Sequence, residues 1–219
     1  MAIPTVSMNT LGAQDWANLG RFEDENTQLV LSGKNNDAVV FMGNSITEGW
    51  LSIDPIFFHK NNYINRGIGG QTTPQMLLRF RQDVIDLNPK VVVILAGTND
   101  IAGNTGPSTV EMIFNNIKSM AELAKMNNIK VVLCSVLPVF DYPWRPGLKP
   151  AEKIIELNAL IKSYANKHNF IYVDYFSAMV NATKGLKREF GDDGVHPNAQ
   201  GYNVMKPIVE NGIAKALKK

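Results

Sequence analysis

The 219-residue sequence is 45% hydrophobic and 19% charged, which is enough apolar content for one domain with a full-sized core. Its formal net charge of +2 excludes the dense basic patch of a general nucleic-acid binder, and no stretch reaches the ~20 apolar residues of a membrane span. The single cysteine, Cys134, excludes a disulfide framework or a cysteine-based metal site within these residues.

The N-terminal residues 1–14 fit two interpretations, a flexible terminus or the remnant of a secretory signal. Small residues occur near the end of Met1 to Ala13, but a basic start and a clear apolar stretch do not. A remnant would place the protein in the periplasm or outside the cell, whereas an ordinary terminus suits the cytoplasm. Residues 15–219 contain no linker or repeat and are expected to form one domain.

Five apolar segments separated by helical patterns predict an alternating α/β fold. They are rich in β-branched residues, as buried parallel strands are, and comprise residues 38–42, 63–64, 91–96, 130–136 and 170–173. Helices are predicted around Trp16, Leu19, Phe22 and Leu29, from Pro107, from Pro150, and from Asn198 to Leu217 with a bend or break near Pro207. This alternation favours a flavodoxin-like three-layer α/β/α fold with a five-stranded parallel sheet in the order 2-1-3-4-5.

Polar residues follow the first three predicted strands at the points where the strands end. Ser45 follows the first strand, residues 65–73 follow the second, and residues 97–100 follow the third. Because ligands bind at the carboxyl ends of the strands in open α/β sheets, these loops are expected to meet at one site. A serine on a glycine-loosened turn there is placed like a nucleophile, but it needs a base to activate it.

His196 is the candidate base among the three histidines. It lies in a turn, three residues after Asp193, so the carboxylate can reach the imidazole Nδ1 and leave Nε2 free to take the serine proton. Taken alone, this segment also fits an ordinary turn. Structural roles are favoured for His59, as an exposed or partly packed ring, and for His168, at a helix end.

Four short segments give the sequence its resemblance to the SGNH hydrolases, also called GDSL-type lipases and esterases. In order, they are Gly43-Asn44-Ser45-Ile46, Gly70 within residues 65–70, Gly97-Thr98-Asn99-Asp100, and Asp193-Gly194-Val195-His196. Each segment is weak evidence alone, but four in register over residues 41–202 are highly specific. Residues 67–73 and 194–197 resemble the platelet-activating-factor acetylhydrolase-like branch of that family.

The resemblance implies ester hydrolysis without a metal or other cofactor. Ser45 is the expected nucleophile, His196 the general base and later the general acid, and Asp193 the residue that orients His196. The oxyanion hole is expected to use the backbone N–H groups of Ser45 and Gly70 and the side-chain amide of Asn99. A neutral amide donor suits a developing oxyanion, and glycine allows close approach of the backbone.

Asn44 departs from the family pattern, which usually has Asp beside the nucleophile. That position is not part of the family's triad, so activity is expected to persist. Bacterial members of the branch include esterases that remove acetyl groups from carbohydrates, which implies a short acyl ester on a small molecule or glycan. Tyr142, Trp144 and Arg145 are expected either to form a sugar-facing wall or to pack their own loop.

Three other functions use the same sequence features. A lipid or phospholipid acylhydrolase would share the site, and an acyltransferase would pass the same acyl-enzyme to an alcohol instead of water. A non-catalytic binding module is disfavoured because every proposed catalytic position is occupied. The sequence leaves the acyl length, the alcohol and the oligomeric state open.

Overall fold

Five parallel strands form the centre of the structure, a computed structural model that describes residues 15–33 and 37–219. They are β1 (Val39–Gly43), β2 (Tyr63–Gly67), β3 (Val91–Leu95), β4 (Lys130–Cys134) and β5 (Ile171–Val173). Their order is β2-β1-β3-β4-β5, with every neighbouring pair parallel, which confirms the predicted topology. The two interpretations of residues 1–14 concern a segment outside the described residues.

Helices cover both faces of the sheet. In chain order they are α1 (Glu23–Ser32), α2 (Ser45–Ile53), α3 (Pro55–Lys60), α4 (Thr73–Phe80), α5 (Thr98–Ile101), α6 (Val110–Met126), α7 (Ala151–His168), α8 (Tyr175–Met179) and α9 (Ala199–Leu217). Alternate strand residues supply two cores: Val40 and Met42 of β1 join one with α4, α6 and α7, while Val39 and Phe41 join the other with α2, α3, α8 and α9. No helix within the described ranges is long and apolar enough to cross a membrane.

Two helix boundaries differ from the sequence-based prediction. The N-terminal segment forms a short 3-10 turn, Leu19–Phe22, before α1, and the only buried residue of α1 is the polar Asn26. Helix α6 begins after Thr109, whose side chain accepts the Met112 N–H at 3.1 Å, and not at Pro107. An N-cap hydroxyl satisfies a free helix N–H, which explains the later start.

Helix α9 is not broken at Pro207, although a break or bend was predicted there. The helix runs from Ala199 to Leu217 with Pro207 inside it. A proline removes one backbone hydrogen bond, but buried side chains on both sides of it, Met205 and Val209, hold the helix on the sheet. Tertiary packing therefore outweighs the local preference of proline.

Two glycines allow β1, β2 and α2 to approach closely at the carboxyl edge of the sheet. Gly43 pairs with Gly67 across β1 and β2. A Cβ on Gly43 would lie 2.0 Å from Thr47 Oγ1, and a Cβ on Gly67 would lie 2.2 Å from the backbone nitrogen of Glu48. Because real Cβ atoms do not tolerate such distances, glycine is required for Ser45 and the loop after β2 to lie side by side.

Candidate active site

Ser45 is the first residue of α2 and directly follows the turn at the end of β1. Asn44 is the N-cap of this helix, and its Oδ1 accepts the Ile46 N–H at 3.1 Å. An Asn caps a helix about as well as Asp does, which explains how the turn is kept without the usual carboxylate. The half-buried Ser45 therefore lies at a helix N-terminus, where the helix dipole favours negative charge.

The structure brings Ser45, His196 and Asp193 together. Ser45 Oγ lies 2.9 Å from His196 Nε2, and His196 Nδ1 lies 2.6 Å from Asp193 Oδ2. The other carboxylate oxygen of Asp193 accepts the backbone N–H groups of Val195 at 2.9 Å and of His196 at 2.8 Å. The turn before α9 thus fixes the carboxylate and the imidazole relative to each other.

Asp193 is held as a carboxylate. Burial alone would raise its pKa, but hydrogen bonds from the His196 side chain and from the backbone N–H groups of His196 and Val195 outweigh burial and lower the pKa below its usual value. An ionised Asp193 favours the tautomer in which His196 Nδ1 carries the proton. Nε2 is then the acceptor for the Ser45 hydroxyl.

Gly70 lies on the loop after β2, in the left-handed region with φ +75°. A Cβ there would contact nothing within 4 Å, so the backbone conformation, and not space, favours glycine. Within the described residues, the Gly70 N–H has no hydrogen-bond acceptor in the protein. The loop also approaches the nucleophile closely, because a Cβ on the preceding Gly69 would lie 3.9 Å from Ser45 Cβ.

Asn99 is buried in α5, the short helix that follows β3. Its Nδ2 donates to the backbone carbonyl of Gln71 at 2.9 Å. A carboxamide nitrogen has two donors, so one N–H of Asn99 holds the neighbouring loop and the second is free to bind a ligand. The predicted oxyanion donors, Gly70 and Asn99, are therefore linked by one hydrogen bond through the residue next to Gly70.

Two carboxylates at this edge were not singled out from the sequence. Glu48, one turn after Ser45 on α2, accepts the Gly69 N–H at 2.9 Å. Asp100 accepts the Thr73 N–H at 2.9 and 3.0 Å, and burial raises its pKa to about 6. Both carboxylates hold the loop after β2 in place. The sequence contained a signal for Glu48, because it follows Ser45 by three residues and residues i and i+3 of a helix lie on the same face.

A buried ion pair below the loop was also missed. Arg79 and Asp83 are fully buried, with Nη1 and Oδ2 2.8 Å apart. They occupy the apolar stripe of α4 and the following turn, whose buried members are Met76, Arg79, Phe80, Asp83 and Val84. The sequence signal for this ion pair is an arginine and an aspartate four residues apart, at helix positions whose spacing of three and four residues otherwise carries apolar side chains.

The loop after β4 corrects part of the predicted sugar-facing wall. Tyr142 is fully buried, and its hydroxyl donates to the Thr98 carbonyl at 2.9 Å, so it cannot face a substrate. Trp144 is 44% exposed, and its ring centroid lies 5.1 Å from that of Tyr142 and 6.1 Å from that of His196. Arg145 anchors the loop by donating to the carbonyls of Ala102 at 2.6 Å and Gly103 at 3.1 Å.

The remaining candidate nucleophile and bases, Cys134, His59 and His168, make no hydrogen bond to Ser45, His196 or Asp193 in the described part of the chain. His59 is exposed on α3, and the His168 ring packs 4.3 Å from Tyr164 at the end of α7. Cys134 is buried, and burial raises the pKa of its thiol to about 12. In residues 15–33 and 37–219, no group of three or more His, Cys, Asp and Glu side chains is arranged to hold a metal ion.

Known proteins resemble this chain in sequence and in fold. The sequence model of the GDSL-like Lipase/Acylhydrolase family matches residues 41–204. A solved structure of a GDSL-like lipase from Bacteroides thetaiotaomicron is 50% identical in sequence and has a TM-score of 0.88. The match covers 91% of this chain and 98% of that lipase. The residues that the family model matches include Ser45, Gly70, Asn99, Asp193 and His196.

Two curated relatives are more distant. A platelet-activating factor acetylhydrolase IB subunit beta homolog of Drosophila melanogaster is 29% identical, over 78% of this chain and 76% of its own length. An acetylxylan esterase of Xylanibacter ruminicola is 24% identical, over 80% of this chain and 42% of its own length. Two further curated bacterial relatives are longer than the region matched. The chain spans 52% of the length of one and 15% of the length of the other.

The fold and these matches define a carboxylic ester hydrolase. The chain belongs to the GDSL-like lipase/acylhydrolase family. The predicted likeness to the platelet-activating-factor acetylhydrolase-like branch is confirmed by the relative from Drosophila melanogaster.

Proposed function

We propose that this chain is a serine esterase that removes short acyl groups, in particular acetyl, from carbohydrates. The observation that carries the proposal is the continuous contact from Ser45 Oγ to His196 Nε2 and from His196 Nδ1 to Asp193 Oδ2, at 2.9 and 2.6 Å. A base within hydrogen-bond reach of a serine, itself oriented by a carboxylate, is the arrangement that activates a hydroxyl.

Acylation of Ser45 is the first half of the proposed reaction. His196 Nε2 takes the hydroxyl proton while Ser45 Oγ attacks the ester carbonyl carbon, and the carbonyl electron pair moves onto its oxygen. The N–H groups of Ser45 and Gly70 and the free N–H of Asn99 stabilise that oxyanion. The bond to the alcohol oxygen then breaks, and the imidazolium returns its proton to that oxygen.

Deacylation uses the same groups in reverse. A water molecule takes the place of the alcohol, His196 accepts its proton, and the resulting hydroxide attacks the acyl carbon on Ser45. The second tetrahedral intermediate collapses, releases the acid and returns the proton to Ser45 Oγ. An alcohol in place of water would give acyl transfer, so the products with and without an added acceptor alcohol distinguish a hydrolase from a transferase.

The surroundings of Ser45 support a short acyl group on a polar alcohol. His196 returns its proton to the alcohol oxygen, so the alcohol lies on the same side as the exposed ring of Trp144. A sugar face stacks well on such a ring, and Arg145 is the polar residue beside it. A groove of about 650 Å³ reaches Ser45 from the β2 side. Its lining combines the ionisable Arg21, Glu25 and Glu48 with apolar side chains such as Phe22, Leu51 and Phe58, and the ionisable groups disfavour the burial of a long fatty acyl chain against their part of the wall.

The relatives support the same substrate class. One is an acetylxylan esterase and another is a platelet-activating factor acetylhydrolase homolog, so both names concern acetyl esters. The two names differ in the alcohol part of the ester. Acetylxylan is a glycan ester, whereas platelet-activating factor is not a glycan. The exposed Trp144 favours the glycan for this chain.

Hydrolysis of nitrophenyl acetate by the wild type, Ser45→Ala and Ser52→Ala tests the serine mechanism. Ser52 is an exposed serine of the same helix that lines the same groove, so it is the matched control. We expect turnover in the wild type and Ser52→Ala only. Full activity in Ser45→Ala, or none in the wild type, would contradict the proposal.

A substrate panel tests the alcohol and the acyl length. Acetylated xylooligosaccharides are expected to be hydrolysed faster than nitrophenyl octanoate or an acetylated glycerophospholipid. Trp144→Ala is expected to raise KM for the sugar ester and leave nitrophenyl acetate unchanged, whereas Trp16→Ala, at a similar exposure of 47%, should change neither. Preference for the phospholipid or octanoate would identify a lipid acylhydrolase instead.

A further inference from the structure

Gln71 is the buried residue directly after the proposed oxyanion donor Gly70. Its backbone carbonyl accepts the Asn99 Nδ2–H at 2.9 Å, and its own side chain is 3% exposed. Gln71 therefore joins the loop after β2, which carries Gly70, to α5, which carries Asn99. Its side-chain hydrogen bonds go to Ala17 and Arg79 and not to Ser45, so its effect on the site passes through the backbone of its loop.

Both polar atoms of the Gln71 side chain are engaged in hydrogen bonds. Nε2 donates to the Ala17 carbonyl at 2.7 Å, and Oε1 accepts from Arg79 Nε at 2.6 Å. An amide that is satisfied at both ends in a buried place has one favourable orientation. The side chain therefore fixes the backbone of the loop from two directions.

Arg79 connects this amide to the ends of two strands. Its Nη2 donates to the Gly43 carbonyl at 3.0 Å and to the Arg66 carbonyl at 2.9 Å, at the carboxyl ends of β1 and β2. Gly43 lies two residues before Ser45. The guanidinium thus holds the turn of the nucleophile and the oxyanion loop in one rigid group, and Asp83 balances its charge.

The N-terminal segment completes the support. Ala17 supplies the carbonyl for Gln71, and Asn26 of α1 donates to Asp83 Oδ1 at 2.7 Å. Asn26 Oδ1 in turn accepts from Arg66 Nη2 at 2.7 Å. Ala17 and Asn26 therefore belong to the support of the site, although neither lies in the four segments of the family resemblance.

We propose that Gln71 is a positioning residue that makes the Gly70 N–H and the Asn99 amide converge on one point, with Arg79 and the Ala17 carbonyl holding its side chain. This inference rests on the proposed serine esterase function. It assigns a role in the reaction to a residue and a segment that the motifs do not include. Misplacing oxyanion donors by about 1 Å costs up to roughly 10²-fold in rate, so the effect is measurable.

Three variants test the role of the Gln71 side chain. Gln71→Met keeps the volume and removes both hydrogen bonds, and Gln71→Glu keeps the acceptor for Arg79 but loses the donor to Ala17. Gln82→Met is the matched control, because the Gln82 side chain also donates to a carbonyl of the N-terminal segment, that of Leu19, without contact to the oxyanion loop.

Rates are measured with nitrophenyl acetate and divided by the fraction of folded, titratable Ser45. We expect kcat to fall roughly 10–100-fold in Gln71→Met and less in Gln71→Glu, with KM within about threefold in both and Gln82→Met like the wild type. A general loss of structure would lower the titratable fraction and not kcat per site. If Gln71→Met does not fold, a wild-type kcat in Gln71→Glu overturns the inference by itself.

A double-mutant cycle with Asn99→Ala supplies the second readout. If Gln71 acts through Asn99, Gln71→Met should cost only a few-fold in the Asn99→Ala background, well below its cost in the wild type. An equal loss in both backgrounds, or a change in KM alone, would overturn the inference. Absence of wild-type turnover would overturn the proposed function as well, whereas wild-type turnover with an unaffected Gln71→Met overturns this inference only.

Discussion

Asp193 and His196 have side chains that are 43% and 38% exposed, whereas Gln71, Arg79 and Asp100 are almost fully buried. The proposed proton-transfer half of the site consists of Ser45, His196 and Asp193 and is held by two short turns near the surface. The proposed charge-stabilising half consists of Gly70, Gln71, Asn99 and Arg79 and is held by a buried polar network that reaches α1. Removing a side chain from the first half should lower kcat. Removing one from the second half should lower both kcat and the free energy of unfolding.

His196→Ala tests the proton-transfer half with the largest expected effect. Removal of the base should lower kcat by roughly 10⁴–10⁶-fold, because serine is then not activated. The melting temperature should remain near that of the wild type, since the ring is partly exposed. Steady-state kinetics and calorimetry measure both, with exposed His59→Ala as the control. A His196→Ala enzyme with more than a few per cent of wild-type kcat would contradict the role.

Asp193→Asn tests the orienting carboxylate. The variant should lose roughly 10³–10⁴-fold in kcat, because an amide can no longer fix the tautomer in which Nδ1 carries the proton. The loss should be smaller than that of His196→Ala. Asp192→Asn changes the neighbouring exposed carboxylate and should retain wild-type kcat. Equal rates for the two Asn variants would remove Asp193 from the mechanism.

Arg79→Met tests the stability of the charge-stabilising half. Removing one partner of a buried ion pair leaves Asp83 uncompensated and should lower the free energy of unfolding by about 3–5 kcal/mol. The control Arg81→Met breaks a pair with Asp86 that is 3.8 Å long and exposed, and should cost less than about 1 kcal/mol. Urea denaturation of both variants gives the comparison, and similar losses would show that burial of the network is not what stabilises it.

Asn99→Ala tests the donor itself. Loss of one oxyanion donor should lower kcat by roughly 10²–10³-fold with little change in KM. Asn115→Ala, an exposed asparagine on α6, is the control for the substitution. A kcat equal to that of the wild type would remove Asn99 from the oxyanion hole and leave its hydrogen bond to Gln71 as a structural contact.

Asp100 and Asp193 should show opposite pH dependence of stability. Burial raises the pKa of Asp100 to about 6, so the stability it contributes is complete below about pH 3.8 and is lost as the pH rises through about 6. The difference in unfolding free energy between wild type and Asp100→Asn should therefore fall by about 2–3 kcal/mol between about pH 4 and 7.

Asp193 provides the contrast, because its pKa lies below the usual value. Its contribution is present above about pH 3.8 and is lost as the pH falls through its lower folded pKa. Urea denaturation of the wild type, Asp100→Asn and Asp193→Asn from about pH 2 to about pH 7 measures both slopes. A difference for Asp100→Asn that stays constant or grows as the pH rises would contradict the buried carboxylate.

The two halves also differ in how far the sequence predicts them. Strand ends and local spacing made Ser45, Asp193 and His196 candidates, and the four family segments in register then selected them. The sheet order followed from apolar segments in the same way. Gln71 has no such signature, because its residue type does not distinguish it from the more exposed Gln82. The signal for Arg79 is its i and i+4 pairing with Asp83 inside an apolar stripe, and it does not reveal the contact with Gln71.

Burial explains the predictions that were wrong. Tyr142 was expected either to face a sugar or to pack its own loop, and its buried ring, with the hydroxyl bonded to Thr98, excludes the sugar-facing alternative. Pro207 looked like a helix break, but the packing of α9 on the sheet keeps the helix continuous. Both outcomes depend on long-range contacts, which local patterns in one sequence do not record.

The central claim is that Ser45 forms a covalent acyl-enzyme, and mass spectrometry of enzyme quenched during turnover of nitrophenyl acetate tests it most directly. The account predicts an acetyl group on the peptide that contains Ser45 in the wild type, more of it in Asp193→Asn if deacylation is slowed, and none in Ser45→Ala. An acetyl group that forms at the same rate on another residue, or turnover that persists in Ser45→Ala, would contradict it.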